Sequence, residues 1–127
     1  MSDARLSQFE NQSYLNLETF RKSGVGVKTP VWFVEDSGVL YVRTILSSGK
    51  VKRIRNNSLV RVVPSGGRGE PQGEWVEARA ALADEARAEQ VNKLMKRKYG
   101  MQKNMFDMLG RFNKSDYATL AIQILDL

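Results

Sequence analysis

Three features of the sequence predict a small, mainly β protein, an antiparallel barrel with helices at its side. Six short segments carry the period-two alternation, or the β-branched and aromatic content, of strands. Asp36-Ser37-Gly38 stands between two of them as a hairpin signal. The segment 84–100 has the cap and charge polarity of a helix. A chain of 127 residues suits one core, so residues 1–127 are expected to form a single domain. The order βββαββααβ, dominated by hairpins, points to barrel closure.

Each element has its own warrant. QSYLNLETF (12–20) places Tyr14, Asn16, Glu18 and Phe20 on one strand face and Leu15, Leu17 and Thr19 on the other. RKSGVG follows as a turn, with Gly24 and Gly26 free to take positive φ. TPVWFVE (29–35) is a second strand starting at or just after Pro30, and VLYVRTI (39–45) is the third. Ser48 can cap a short helix whose first turn is Gly49, Lys50 and Val51. At about 100° per residue, Val51 and Ile54 face the barrel, Lys50 and Arg53 flank Ile54, and Lys52 and Arg55 point to solvent. SLVRVVP (58–64) is the fourth strand, SGGRGEPQG (65–73) a polar loop, and EWVEARAAL (74–82) the fifth strand. Its alternation sets Trp75, Glu77 and Arg79 against Val76, Ala78 and Ala80.

Asp84 caps the long helix, Glu85 suits its first turn, Lys96 to Lys98 suit its last, and Gly100 is expected to stop it. MQKNMFDMLGRF (101–112) reads as a second, short helix. Met95, Met101, Met105 and Met108 suit a core or subunit interface. YATLAIQIL (117–125) closes the chain as a strand, with Ala118, Leu120, Ile122 and Ile124 on one face.

Composition removes several kinds of chemistry. Without Cys there is no disulfide or thiolate. Without His there is no Ser-His-Asp triad, no Cys-His dyad and no ordinary zinc site. Glu18, Glu35, Glu74 and Glu77 are scattered, with no acid/base spacing, so no catalytic side chain is assigned. Catalysis would have to come from an organic cofactor. No apolar run approaches the roughly 18 residues of a spanning helix, and MSDARLSQFENQ lacks a signal core. A cytoplasmic location without a membrane partner is therefore the expectation. The net charge of +6 and pI near 9.8 favour an anionic partner.

That charge gathers in SGKVKRIRNN. A helix N-terminus is positive and ordinarily recruits acids, each worth roughly 0.3–1 kcal/mol; here it carries cations. Free amides, the Ser48 hydroxyl, Gly49, Lys50 and Arg53 together describe an anion site, although a solvated basic face fits the same residues. It is not a Walker A loop, which needs Gly at 44 and Ser or Thr at 51, where the chain has Thr44 and Val51. Gly24-Val25-Gly26 lacks the third glycine of a dinucleotide fingerprint and opens a strand. Trp32 and Trp75 could line a planar ligand, though packing is the commoner use of tryptophan. A single-stranded nucleic acid fits the charge, but no aromatic ladder runs along neighbouring strands, which ranks it below a cofactor.

ETFRKSG, TPVWFV, LYVRT, SGKVKRIRNN, the GxWVEARA stretch at 73–80 and RKYG at 97–100 occur in that order. Together, over roughly residues 12–125, they resemble the pyridoxamine 5'-phosphate oxidase-like split β-barrel family, and most nearly its short deazaflavin-dependent branch. The resemblance implies a six-stranded antiparallel split barrel, homodimeric, with flavin or deazaflavin in clefts between subunits. It implies that Ser48, Gly49, Lys50 and Arg53 hold the cofactor phosphate, and that Arg43 and Thr44 lie along the ring and ribityl chain. Thr29, Pro30, Val31 and Trp32 would border the ring system, and Trp75 would reach the cleft from the other subunit. The family's pyridoxamine-oxidising members carry a C-terminal substrate segment with Arg and His. This chain has no His and ends QILDL, which puts vitamin B6 oxidation in doubt. The expectation is hydride transfer between coenzyme F420, whose acidic tail suits the basic surface, and a small organic substrate. FMN is the alternative cofactor, and a non-catalytic cofactor carrier or a nucleic-acid module the alternative function.

Overall fold

The computed structural model describes residues 4–100 and 116–125. Its elements are α1 (Ala4–Ser7), β1 (Tyr14–Phe20), β2 (Gly26–Trp32), β3 (Val34–Asp36), β4 (Val39–Ile45), α2 (Gly49–Asn56), β5 (Leu59–Ser65), β6 (Val76–Leu82), α3 (Glu85–Tyr99) and β7 (Tyr117–Ile124). The sheet therefore has seven strands rather than six, because the segment expected as one strand over 29–35 breaks at Phe33. All neighbours pair antiparallel, in the order β2-β1-β5-β6-β7-β4-β3.

That order forces the sheet to curl. β2 and β3 are its two opposite edges, yet only Phe33 separates them in the chain. In a flat sheet, six strand spacings would hold those edges about 29 Å apart. The edges must instead meet, with Phe33 as the seam. Leu15, Leu17, Leu40, Val42, Val60, Val62, Ala78, Leu120 and Ile122 fill the interior, and the alternation read in the sequence places Leu15 with Leu17, and Leu120 with Ile122, on single strand faces. The β3–β4 turn is the expected hairpin: Ser37 (φ 53°) and Gly38 (φ 85°) both take the positive φ that a type I′ turn needs. α1 was not foreseen. It leads to Phe9, which is buried in the core and meets the Phe33 ring edge-on at 5.8 Å.

The broken strand leaves the Phe33 backbone without ladder partners, and α3 supplies them. Phe33 N–H donates to Tyr99 Oη at 3.2 Å, and Lys98 Nζ donates to the Phe33 carbonyl at 2.8 Å. Tyr99 Oη lies 2.8 Å from the carbonyls of both Phe33 and Ser13, so its single proton serves the two. α3 begins as expected, with the Asp84 side chain accepting from Arg87 N–H at 2.8 Å. Gly100 sits at its C-cap with right-handed dihedrals (φ −52°, ψ −25°), not the left-handed ones of a glycine stop. The helix expected over 101–112, with Met101, Met105 and Met108, lies outside the described residues. Met95 packs with Val91 and Tyr99 of α3 against Val34 and Tyr41 on the outer face of the sheet.

The latch carries a pH signature. Burial lowers the Lys98 pKa to about 8, and burial raises that of Tyr99 above the usual 10. Between about pH 8 and 10 the unfolded chain holds a proton on Lys98 that the folded chain has released, so stability rises with pH. Above pH 10 the unfolded chain loses the tyrosine proton that the folded chain keeps, so stability falls. Urea midpoints should climb from pH 8 towards 10 and then decline. Lys98→Met should flatten the climb, and an unchanged climb in that variant would exclude Lys98 as its source.

Candidate functional site

α2 lies across the end of β1 because its two apolar side chains need cover. Val51 and Ile54 are buried, Lys52 and Arg55 are exposed, and Lys50 and Arg53 are half-buried, as the helical spacing predicts. Thr19 shares the inward face of β1 with Leu15 and Leu17 and is fully buried. Arg53 Nε donates to Thr19 Oγ1 at 2.6 Å. The guanidinium then runs back over the helix N-terminus, where a Cβ on Gly49 would stand 2.7 Å from Arg53 Nη1. Glycine lets the guanidinium rest there; a larger residue would push this flexible side-chain end aside.

Ser48 occupies the N-cap with extended dihedrals (φ −68°, ψ 158°), but its hydroxyl does not cap the helix. Ser48 Oγ is buried and has no hydrogen-bond partner among the described residues. Burial lowers the Lys50 pKa, and the neighbouring Arg53 charge lowers it further. No Asp or Glu occurs between Asp36 and Glu70 to offset the two cations. Four of the predicted residues, Ser48, Gly49, Lys50 and Arg53, thus converge on one helix end. Thr19 joins them and was missed. Its signal was a polar residue ending the inward Leu-x-Leu-x-Thr row.

The other candidates are dispersed. Thr29 and Val31 pair with Leu17 and Leu15 on the inward face, whereas Pro30 and Trp32 pair with Asn16 and Tyr14 on the outer one. Pro30 is tolerated because β2 is an edge strand. Trp32 stacks on Tyr99 with centroids 4.0 Å apart and planes 10° apart. Arg43 and Thr44 are adjacent on β4 and so point to opposite faces. Arg43 lies outward over the Tyr117 ring, 4.2 Å from its centroid. Trp75 precedes β6, with Lys28 Nζ at 5.3 Å and Arg61 Cζ at 5.2 Å from its ring. Arg61 in turn pairs with Glu18 at 3.2 Å. Among the described residues no cluster of acidic groups could hold a metal ion, and no helix is long and apolar enough to cross a membrane.

No family model and no curated protein matches the chain. Solved structures do. A Listeria innocua protein provisionally named pyridoxamine 5'-phosphate oxidase is 16% identical, with a TM-score of 0.68, covering 95% of this chain and 90% of its own. An F420 reductase is 18% identical, with a TM-score of 0.62, covering 99% and 97%. An FAD-binding protein from Mesorhizobium loti is 12% identical, with a TM-score of 0.62, covering 94% and 84%. These likenesses establish the fold, a curled antiparallel half-barrel sheet with flanking helices.

Proposed function

We propose that this chain is a flavin-type oxidoreductase that holds coenzyme F420, with FMN as the alternative, by a phosphate at the N-terminus of α2. A hydride then passes between that coenzyme and a small organic substrate. The observation that carries the reading is the α2 end itself: two cations with no ion-pair partner among the described residues, an orphaned serine hydroxyl and a glycine opened towards a guanidinium. Proteins of this fold named as an F420 reductase and an FAD-binding protein support the choice of cofactor class. The basic surface favours the more anionic F420.

Each group has a role. The first-turn N–H groups of α2 and the Ser48 hydroxyl donate to phosphate oxygens. Lys50 neutralises charge as a compact cation, while Arg53 offers its Nη groups because Nε is committed to Thr19. A bound ring supplies the hydride chemistry that a chain without His or Cys lacks. The reading extends to a homodimer with the ring between subunits, for which sedimentation should report twice 14.4 kDa.

Titration with F420 and with FMN, followed by fluorescence and calorimetry, tests the proposal. At least one should bind below about 100 μM; failure of both ends the cofactor reading. Binding without turnover, when reductant and candidate substrates are supplied, would mark a carrier instead. Gly49→Ala gives a sharper check. Alanine favours a helix by up to about 1 kcal/mol over glycine, so the variant should be as stable as the parent or more so. Its Cβ displaces the Arg53 guanidinium, so cofactor affinity should fall about fivefold or more, roughly 1 kcal/mol. Equal affinity would show that Arg53 does not act from that position.

A further inference from the structure

The outer face of β4 and β7 forms a cleft with the N-terminal half of α3, enclosing about 580 Å³. That volume lies within the roughly 300–1,000 Å³ of small-molecule sites. Ser48, Lys50 and Arg53 of the helix end that is proposed to take phosphate are not among its lining residues, and its walls differ in kind.

The sheet wall is a donor. Arg43 holds its guanidinium carbon 4.2 Å from the centre of the Tyr117 ring, a cation–π contact that does not consume its N–H donors. Among the described residues Arg43 has no carboxylate partner, although it is half-buried. The helix wall is an acceptor. Asn92 lines the cleft, and its Oδ1 is buried with no hydrogen-bond partner among the described residues. Glu85 adds a carboxylate on the same side. The rim is apolar. Four large hydrophobic side chains are exposed among the described residues, and two of them, Leu46 and Leu82, line this cleft. An apolar lining with a few placed polar groups is the common make-up of small-molecule sites.

We infer that this cleft binds a small apolar molecule carrying a carboxylate and an N–H donor, with the carboxylate on Arg43 and the donor facing Asn92 and Glu85. Arginine's planar fork matches a carboxylate in two parallel hydrogen bonds, which a neutral amide cannot reproduce. The two-ended polarity selects an amino-carboxylate over a simple acid. Naming this molecule a substrate rests on the oxidoreductase reading; its binding does not.

Calorimetry on the cofactor-free protein, with phenylalanine, 3-phenylpropionate and phenylalaninamide, tests the inference. Phenylalanine should bind best. Loss of its carboxylate should weaken binding about tenfold, and loss of its amine about threefold. Arg43→Gln should weaken phenylalanine about tenfold. Leu82→Glu, at an exposed position that folding tolerates, should weaken it similarly by setting an anion on the rim. Lys50→Ala should leave it unchanged, which separates this cleft from the phosphate site. The inference is overturned if none of the three binds at about 10 mM, if phenylalanine and its amide bind alike, if Arg43→Gln has no effect, or if Lys50→Ala weakens binding as much as Arg43→Gln does.

Discussion

Phe33→Ala lowers folding stability by about 3–5 kcal/mol, the range for truncating a fully buried aromatic side chain. Phe33 is 1% exposed and packs edge-on against Phe9. Its position makes the cost more than a cavity, because the residue joins the two edges of the sheet. Its backbone N–H and carbonyl depend on Tyr99 and Lys98, and Lys98 Nζ lies 3.7 Å from the centre of its ring. Removing the ring takes away the surface that holds Lys98 over the seam. Tyr99→Phe is the companion variant. It keeps the stack on Trp32 and leaves the buried Phe33 N–H unpaired, at a cost of about 1–3 kcal/mol. Because the two residues touch, the double variant should cost less than the sum of the single ones. Urea unfolding measures all three. A loss of about 0.5 kcal/mol or less for Phe33→Ala, no more than an ordinary surface change costs, would mean that the seam does not hold the barrel closed.

The seam also shows where the sequence ceases to be legible. TPVWFVE reads as one strand because β-propensity is local, and every residue in it favours extended backbone. Which neighbour each half pairs with is a tertiary fact, and β2 and β3 end on opposite edges. The inward row of β6 was legible because its period-two alternation maps onto burial, and those of β1 and β7 because the apolar positions recur on one face, although in β1 the outward Asn16 and Glu18 are buried as well. α2 was legible for the same reason at a period of 3.6, even to the distinction between half-buried Lys50 and Arg53 and exposed Lys52 and Arg55. The partners of the site were less so. Thr19 is 34 residues from Arg53, and no local pattern ties a strand threonine to a helix arginine. Trp32 stood out as a possible ring contact, but the Tyr99 stack that takes one of its faces joins residues from distant segments.

Replacing both Lys50 and Arg53 by alanine should weaken cofactor binding about a hundredfold, or roughly 2.7 kcal/mol, with Lys50→Ala alone costing about tenfold. The phosphate reading requires loss of affinity and stability to part company. Without ligand, Lys50 is a half-buried cation whose pKa burial and Arg53 both depress, so Lys50→Ala should leave the free protein at least as stable as the parent. Arg53→Ala strands the buried Thr19 hydroxyl and should cost about 1 kcal/mol of stability. A residue kept for folding would show the opposite balance, with stability falling and binding following only as the fold is lost. Lys50→Arg keeps the charge and should retain most of the affinity, whereas Lys50→Gln should not. Raising ionic strength should weaken the parent more than the double variant, because screening acts on the charges that the variant has lost. If the folded double variant takes F420 and FMN with the affinity of the parent, the phosphate does not sit at α2.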